Sequence, residues 1–175
     1  MKNFESVSNL RNNLRPVKVN ISNTAGCYRW WFREDGAKEL LSALPVNWDN
    51  IQVRTIDGSK YYTLYFGISD KLIDRLDWHI NQRHTMSQVS AGTISTLRTT
   101  ISSLLGKPVS ESETDVNNFI DKYCYVEFEN DSNAKARETE ELRTNYYPLN
   151  IQENEVVDAE TINCLKGLRK EFGKR

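Results

Sequence analysis

The strongest constraint on the fold is the pair Asp57-Gly58, which separates two runs of strand-forming residues, 51–56 and 61–68. An Asp-Gly pair between such runs is the sequence pattern of a two-residue β-hairpin turn. From Lys71 onwards the apolar residues recur at helical spacing instead. A hairpin that leads directly into an amphipathic helix predicts an antiparallel sheet with a helix packed against it.

The rest of the chain alternates between strand-like and helix-like segments, without an internal repeat or a low-complexity linker. Segments 26–32 and 123–129 predict two further strands, because the first is rich in aromatic residues and the second alternates between apolar and polar ones. Helical periodicity and helix-end residues predict helices over 4–15, 37–44, 94–105, 114–122, 134–146 and after the capping residue Asp158. The predicted fold is therefore α+β, a small and mostly antiparallel sheet of three to four strands flanked by helices.

Composition excludes several classes of protein. Hydrophobic residues make up 38% and charged residues 27% of the 175 positions, the balance of an ordinary globular domain. No apolar run is long enough to cross a bilayer, and the N-terminus lacks the apolar core of a secretory signal, so we expect a cytoplasmic protein without membrane association. Three widely separated cysteines and two histidines have no zinc-ligand spacing.

Charge is unevenly distributed, although the net charge is only −1. Basic residues and both histidines prevail between Lys71 and Lys107, whereas acidic residues prevail between Glu111 and Glu160. A basic middle section can face phosphates while an acidic section holds a cation. Lys71 and Arg98 are thus candidate substrate contacts. Because Arg98 shares the apolar face of its helix, a buried ion pair is the alternative interpretation for that residue.

Arg75 and His79 lie four residues apart, on one face of the helix that begins near Lys71. They flank the apolar stripe of that helix, which places both side chains at the margin of the core, where a cleft would lie. The alternative is an amphipathic helix with a solvent-reaching arginine and a partly buried histidine.

Three glutamates on the helix over 134–146 differ in the direction that helical geometry gives them. Glu138 is four residues from both Ala134 and Leu142 and is predicted to project from the inward face, whereas Glu141 lies at its edge and Glu140 points to solvent. An inward carboxylate must be paired, protonated or bound to a cation. Magnesium prefers carboxylate oxygen and keeps several waters, so that one carboxylate can suffice.

These residues occur in an order that resembles the GIY-YIG nuclease superfamily. Gly26-Cys27-Tyr28 and Tyr65-Phe66-Gly67 are similar to the two tripeptides that name it, and Arg75 with His79 matches its following helix. Glu138, followed by Pro148-Leu149-Asn150, is similar to the metal-binding glutamate and the ending of that family. The resemblance covers residues 25–151, with extensions over 1–24 and 152–175. An additional helix that begins with Ser95-Thr96-Leu97-Arg98 is similar to a little-described bacterial branch.

The resemblance implies a metal-dependent endonuclease that hydrolyses duplex or branched DNA with an activated water. It implies one divalent cation, Mg²⁺ or alternatively Mn²⁺, on Glu138, and transition-state stabilisation by Arg75. Tyr28, with its pKa lowered, is the expected general base, and His79 is the rival. Tyr65 would hydrogen-bond water or phosphate, and Asn150 would orient the surrounding residues.

Two alternatives stay open from sequence. A nucleic-acid-binding or protein-interaction module could keep the same fold without cleaving, and a related phosphodiesterase could act on RNA or branched DNA. Because no appended recognition domain is evident, specificity would come from residues 1–24, the helix over 95–105, the C-terminal segment or a partner.

Overall fold

The computed structural model describes residues 3–14 and 21–173. Within them the strands form one antiparallel sheet of five members, in the order β1-β5-β2-β4-β3. The strands are β1 (Asn3–Ser6), β2 (Gly26–Arg33), β3 (Val53–Ile56), β4 (Ser59–Ser69) and β5 (Cys124–Asn130). The sheet has more strands than the three to four predicted, since β1 was assigned to a helix.

The N-terminal segment shows why that assignment was wrong. Residues 3–6 pair with β5, and the helix begins only at Val7, where the Ser6 hydroxyl accepts a hydrogen bond from the Asn9 amide at 3.2 Å. Pairing with a strand more than a hundred residues away leaves no local sequence pattern. The predicted end of this helix at residue 15 lies outside the described residues.

Eight α-helices are described, and most of them fall where the sequence predicts, although the bounds shift. They are α1 (Val7–Asn13), α2 (Glu34–Leu40), α3 (Leu72–Asn81), α4 (Met86–Ser90), α5 (Thr96–Leu104), α6 (Glu113–Tyr123), α7 (Ala134–Thr144) and α8 (Ala159–Phe172). The short α4 was not predicted. Asp158 does cap α8, through a 2.8 Å bond from the Thr161 amide.

The predicted hairpin is present between β3 and β4. Asp57 and Gly58 both have positive φ angles, 48° and 78°, as a two-residue turn between twisted strands requires. The turn sets a register in which Val53 is opposite Tyr62. Because β3 is short, it pairs only with the first part of β4, and the second part is left at the edge of the sheet.

The central strand β2 separates two groups of buried side chains. Tyr28, Trp30 and Phe32 join the main core, together with residues of α1, α2, α3, α5 and α6. Cys27 points to the other face and packs with Phe66, Leu142 and Tyr147 in a smaller cluster under α7. In the described residues no helix is both long and apolar enough to span a membrane.

The N-terminal and C-terminal segments both join this arrangement. β1 is an edge strand of the common sheet, and α8 packs against α5. The predicted division at residues 24 and 151 stays a prediction.

Candidate active site

The two glycines of the tripeptides allow close packing on either side of β2. Gly67 lies opposite Tyr28 in the register of β2 and β4, and a Cβ atom at Gly67 would lie 2.5 Å from the Tyr28 hydroxyl oxygen. A Cβ at Gly26 would lie 2.4 Å from the Glu129 carbonyl oxygen. Both distances are too short for any side chain. The glycine of the second tripeptide therefore lets the tyrosine of the first lie across its strand.

Regular pairing between β2 and β4 brings the second tyrosine to the same face. Tyr28 is opposite Gly67 and Trp30 is opposite Tyr65, and residues two apart on a strand share a face. The rings of Tyr28 and Tyr65 therefore lie 6.4 Å apart. The register shifts only beyond Tyr65, where Trp31 is opposite Thr63 and β4 carries one extra residue.

His79 links the tyrosines to α5. Its Nε2 is 2.7 Å from the Tyr28 hydroxyl, and its Nδ1 is 2.5 Å from the Ser95 hydroxyl. The side chain is 2% exposed, not at the margin of the core as predicted. Burial, followed by the charges of Arg75 and Arg98, lowers the pKa of His79 to about 3. The imidazole is therefore neutral at physiological pH and shares a hydrogen bond with the Tyr28 hydroxyl.

Arg75 stands one turn before His79 on α3 and is half-buried. Its guanidinium lies over the Trp78 ring, 4.5 Å from the centroid, which fixes its orientation from within the same helix. The charge of Arg75 opposes the rise that burial causes in the pKa of both tyrosines, so the guanidinium lies close enough to act on them.

Glu138 approaches the site from α7. Its side chain is 17% exposed and lines a cavity of about 360 Å³ together with Tyr65 and Asn150. Lys135 lies 2.9 Å from the Glu138 carboxylate and 3.3 Å from that of Glu153. The Lys135 ammonium group thus lies between two carboxylates, and this position favours a cation.

The most buried of the three glutamates of α7 is Glu141, not Glu138, and this corrects the predicted directions. Glu141 ion-pairs with Arg29 and accepts a 2.7 Å hydrogen bond from the Tyr147 hydroxyl. The carboxylate of Glu141 is therefore already paired inside the protein. Glu140 is exposed, as predicted.

Asn150 holds the C-terminal side of the cleft against the sheet edge. The side-chain Oδ1 of Asn150 accepts a hydrogen bond from the backbone N–H of Phe66 at 2.9 Å, and its Nδ2 donates to the Phe66 carbonyl at 2.8 Å. A neighbouring strand would make the same pair of bonds. The Leu149 amide donates to the Leu64 carbonyl at 3.0 Å. These bonds replace β3 along the second half of β4, and they fix the backbone on both sides of Tyr65.

The protonation of Tyr28 differs from the expectation. Burial, and then the neighbouring Tyr65, raise the pKa of Tyr28 well above its ordinary value, whereas a lowered pKa was predicted. The resting side chain is thus a protonated phenol, and its hydroxyl shares a hydrogen bond with the neutral His79 imidazole. Activation of water at Tyr28 consequently needs either a nearby cation or transfer of the phenol proton to His79.

Comparison with known proteins identifies the family of the chain. A sequence model of the GIY-YIG catalytic domain matches residues 26–171, which is most of the chain. The chain belongs to the GIY-YIG family. No curated protein and no solved structure matches it significantly. The family is one of nucleases, and the match includes α8, which the predicted domain boundary at residue 151 leaves outside.

The GIY-YIG site fits a hard cation better than a zinc ion. Among the described residues no group of three or more His, Cys, Asp and Glu side chains could enclose a metal. Glu138 offers a carboxylate that lines an open cavity, and in the described part of the chain its ion-pair partner is the exposed Lys135. Mg²⁺ and Mn²⁺ accept such a site because they keep water ligands.

Two predicted substrate contacts of the GIY-YIG domain lie apart from this cavity. Lys71 is exposed at the start of α3 and does not line it. Arg98 is 0% exposed and is held inside the protein, which contradicts a role in binding phosphate. The predicted alternative, an ion pair, is also absent from its described contacts. Its partners are His84 Nε2, the Asn117 amide oxygen and the carbonyls of His79 and Ile80.

Arg98 therefore has a structural role, and its replacement is expected to destabilise the fold. Burial lowers the pKa of Arg98 to about 10, which leaves it cationic, and it satisfies the last carbonyls of α3. Arg98→Met would leave the His79 carbonyl and His84 Nε2 without their described donors and cost about 3 kcal/mol or more in the free energy of unfolding, measured with urea. Arg83→Met, at a side chain that is 78% exposed, should cost less than about 1 kcal/mol. Equal losses in the two variants would contradict this role.

Sequence reasoning missed Ser95 as the second partner of His79 and Arg169 of α8 as a side chain of the cleft. Ser95 was visible only as a residue that precedes a helix. Arg169 belongs to a basic C-terminal helix end, a pattern that the helix dipole explains without any site.

Proposed function

We propose that this protein is a metal-dependent endonuclease that hydrolyses DNA phosphodiester bonds with one divalent cation, Mg²⁺ or Mn²⁺, held by Glu138. One observation carries the proposal. Tyr65 and Glu138 line one cleft, and Tyr28 and His79 lie directly behind Tyr65, with ring centroids 6.4 and 6.2 Å from it. The charge of Arg75 acts on both tyrosines, so that two phenols, a neutral imidazole, a guanidinium and a half-buried carboxylate from β2, β4, α3 and α7 lie close together. Hydrolysis of a phosphodiester needs such a combination, because it requires a charge-neutralising group and a proton acceptor at one phosphate.

The roles of the side chains follow from their contacts. Arg75 binds a phosphate oxygen and stabilises the additional negative charge of the transition state. Tyr28 is the acceptor of the proton of the attacking water, and its own proton moves to His79 Nε2 only when the anionic phosphate in the cleft has raised the proton affinity of the imidazole above that of the empty site. Ser95 holds the far side of the imidazole. When bound, the cation supplies Lewis-acid stabilisation of the phosphate and of the leaving oxygen.

The experiment for this function uses supercoiled plasmid and a branched DNA duplex. Each is incubated with the purified protein in Mg²⁺, in Mn²⁺ and in chelator. We expect nicking or cleavage only with the metals. DNA binding without cleavage under any metal would contradict the nuclease and support a non-cleaving nucleic-acid-binding module.

The buried imidazole gives the fold a measurable pH dependence. Because the pKa of His79 is about 3 in the folded protein and 6.5 in the unfolded chain, the unfolded chain binds more protons below pH 6.5. The contribution of His79 is complete above pH 6.5 and is lost as the pH falls towards 3. Between pH 7 and pH 4.5 we expect a loss of about 3 kcal/mol from this residue.

Urea unfolding of the wild type and of His79→Gln at the two pH values isolates this contribution. The variant should lose less stability on acidification than the wild type, while the carboxylates contribute equally to both. The same pH dependence in the two proteins would show that His79 is protonated in the folded state.

A further inference from the structure

The C-terminal helix α8 contributes a cation to the cleft described above. Arg169 lines the same cavity as Tyr65, Glu138 and Asn150, and its charge acts on the Tyr65 hydroxyl. It is half-buried. Among the described residues no carboxylate lies within ion-pair distance of its guanidinium. A cation in this position, without an acidic partner, is suited to bind an anion.

Arg169 continues into a line of basic residues on one face of α8. Lys166, Arg169 and Lys170 have the spacing i, i+3 and i+4 and therefore project to the same side of the helix. Lys166 and Lys170 are exposed. For neither does the described part of the chain provide an ion pair, whereas other exposed lysines such as Lys38 and Lys107 have one.

These three side chains line a second cavity, of about 470 Å³, that continues the first. Thr96, Ile151 and Arg169 line both cavities, so that Arg169 lies at their junction. The opposite wall is formed by α5, which contributes Thr96 and Thr99. Together the two cavities form a groove that leads from Glu138 along α8, with one wall basic.

We propose that α8 is a wall of the nucleic-acid-binding groove, in which Arg169 binds a phosphate next to the scissile one, and Lys166 and Lys170 bind the flanking phosphates. The proposal rests on the proposed function in that it takes DNA as the ligand. It assigns a function to the segment beyond residue 151 and explains how a chain with a net charge of −1 can concentrate positive charge beside its site.

The test measures DNA binding separately from cleavage. The affinity of the full chain for a fluorescein-labelled DNA duplex is determined by anisotropy in chelator, at several salt concentrations. Each phosphate contact contributes roughly 0.9 to the slope of log K against log salt. The double variant Lys166→Ala/Lys170→Ala should therefore bind more weakly and reduce the slope by roughly 2.

A matched control removes the same charge elsewhere. Lys60 and Lys122 are exposed and lie towards the other end of the sheet, beside the pairs that involve Arg33 and Phe32. Lys60→Ala/Lys122→Ala should keep the wild-type slope. An equal slope in all three proteins would overturn the proposal for α8, and so would a wild type that does not bind DNA.

Cleavage separates this proposal from the nuclease proposal. If the slope falls only in the α8 variant, the groove is supported even if the wild type fails to cleave. If the wild type cleaves but the slope is unchanged, the nuclease stands and the α8 wall does not. In a cleaving wild type, Arg169→Ala should lower the cleavage rate about 10²-fold, and Arg169→Lys should restore part of the loss.

Discussion

Glu138→Gln is expected to reduce metal-dependent cleavage about 10³-fold while DNA binding is retained. The amide keeps the shape of the side chain but removes the anionic oxygen that would hold the cation, and Lewis-acid stabilisation is worth several kcal/mol in the transition state. The fold should tolerate the change, because the only described ion-pair partner of Glu138 is the exposed Lys135. The loss of stability should therefore stay below about 1 kcal/mol.

Two measurements check this prediction. Cleavage rates are compared with those of Glu140→Gln, which removes a charge from the exposed side of the same helix and should remain fully active. Mn²⁺ binding, followed by electron paramagnetic resonance without DNA, should weaken in the Glu138 variant alone. Cleavage that survives Glu138→Gln at the wild-type rate would place the cation elsewhere.

Arg75→Ala is expected to lower kcat about 10³-fold with a much smaller change in KM. A guanidinium aimed at developing negative charge contributes more in the transition state than in the bound ground state, so its loss appears in kcat. Because Arg75 is half-buried and its described contact is with Trp78 of its own helix, the variant should stay folded.

The conservative variant makes this prediction specific. Arg75→Lys keeps the charge but loses the planar pair of donors, so it should recover only a small part of kcat. Recovery to the wild-type rate would show that charge alone matters. A rise in KM with unchanged kcat in Arg75→Ala would mean that Arg75 binds substrate without acting in the chemical step.

Local patterns predicted much of the architecture, and long-range pairing accounts for the part they missed. The hairpin at Asp57-Gly58 and the amphipathic helix α3 follow from turn chemistry and periodicity, which act over a few residues. Strand β1 has no such local pattern, since its partner β5 lies more than a hundred residues away. The short helix α4 was too brief to show a period.

The same distinction applies to the candidate site. Helical spacing placed Arg75 and His79 on one face and separated Glu138 from Glu140. The burial of each side chain was harder to predict from spacing, because it depends on the elements that pack over the helix. His79 is enclosed because Ser95, at the start of α5, packs against its ring. Glu141 is the more buried carboxylate of α7 because Arg29 and Tyr147 pair with it.

The sequence by itself determined the order of most elements, the family and the candidate residues of the site, because tripeptides, turns and helical faces are local properties. Tertiary structure alone decided which polar groups became partners. It buried Arg98 against the end of α3, coupled Tyr28 to His79, used Asn150 as a substitute strand and brought Arg169 to the cleft. Each of these contacts joins separate elements, and its energy comes from desolvation and geometry that exist only after those elements have packed.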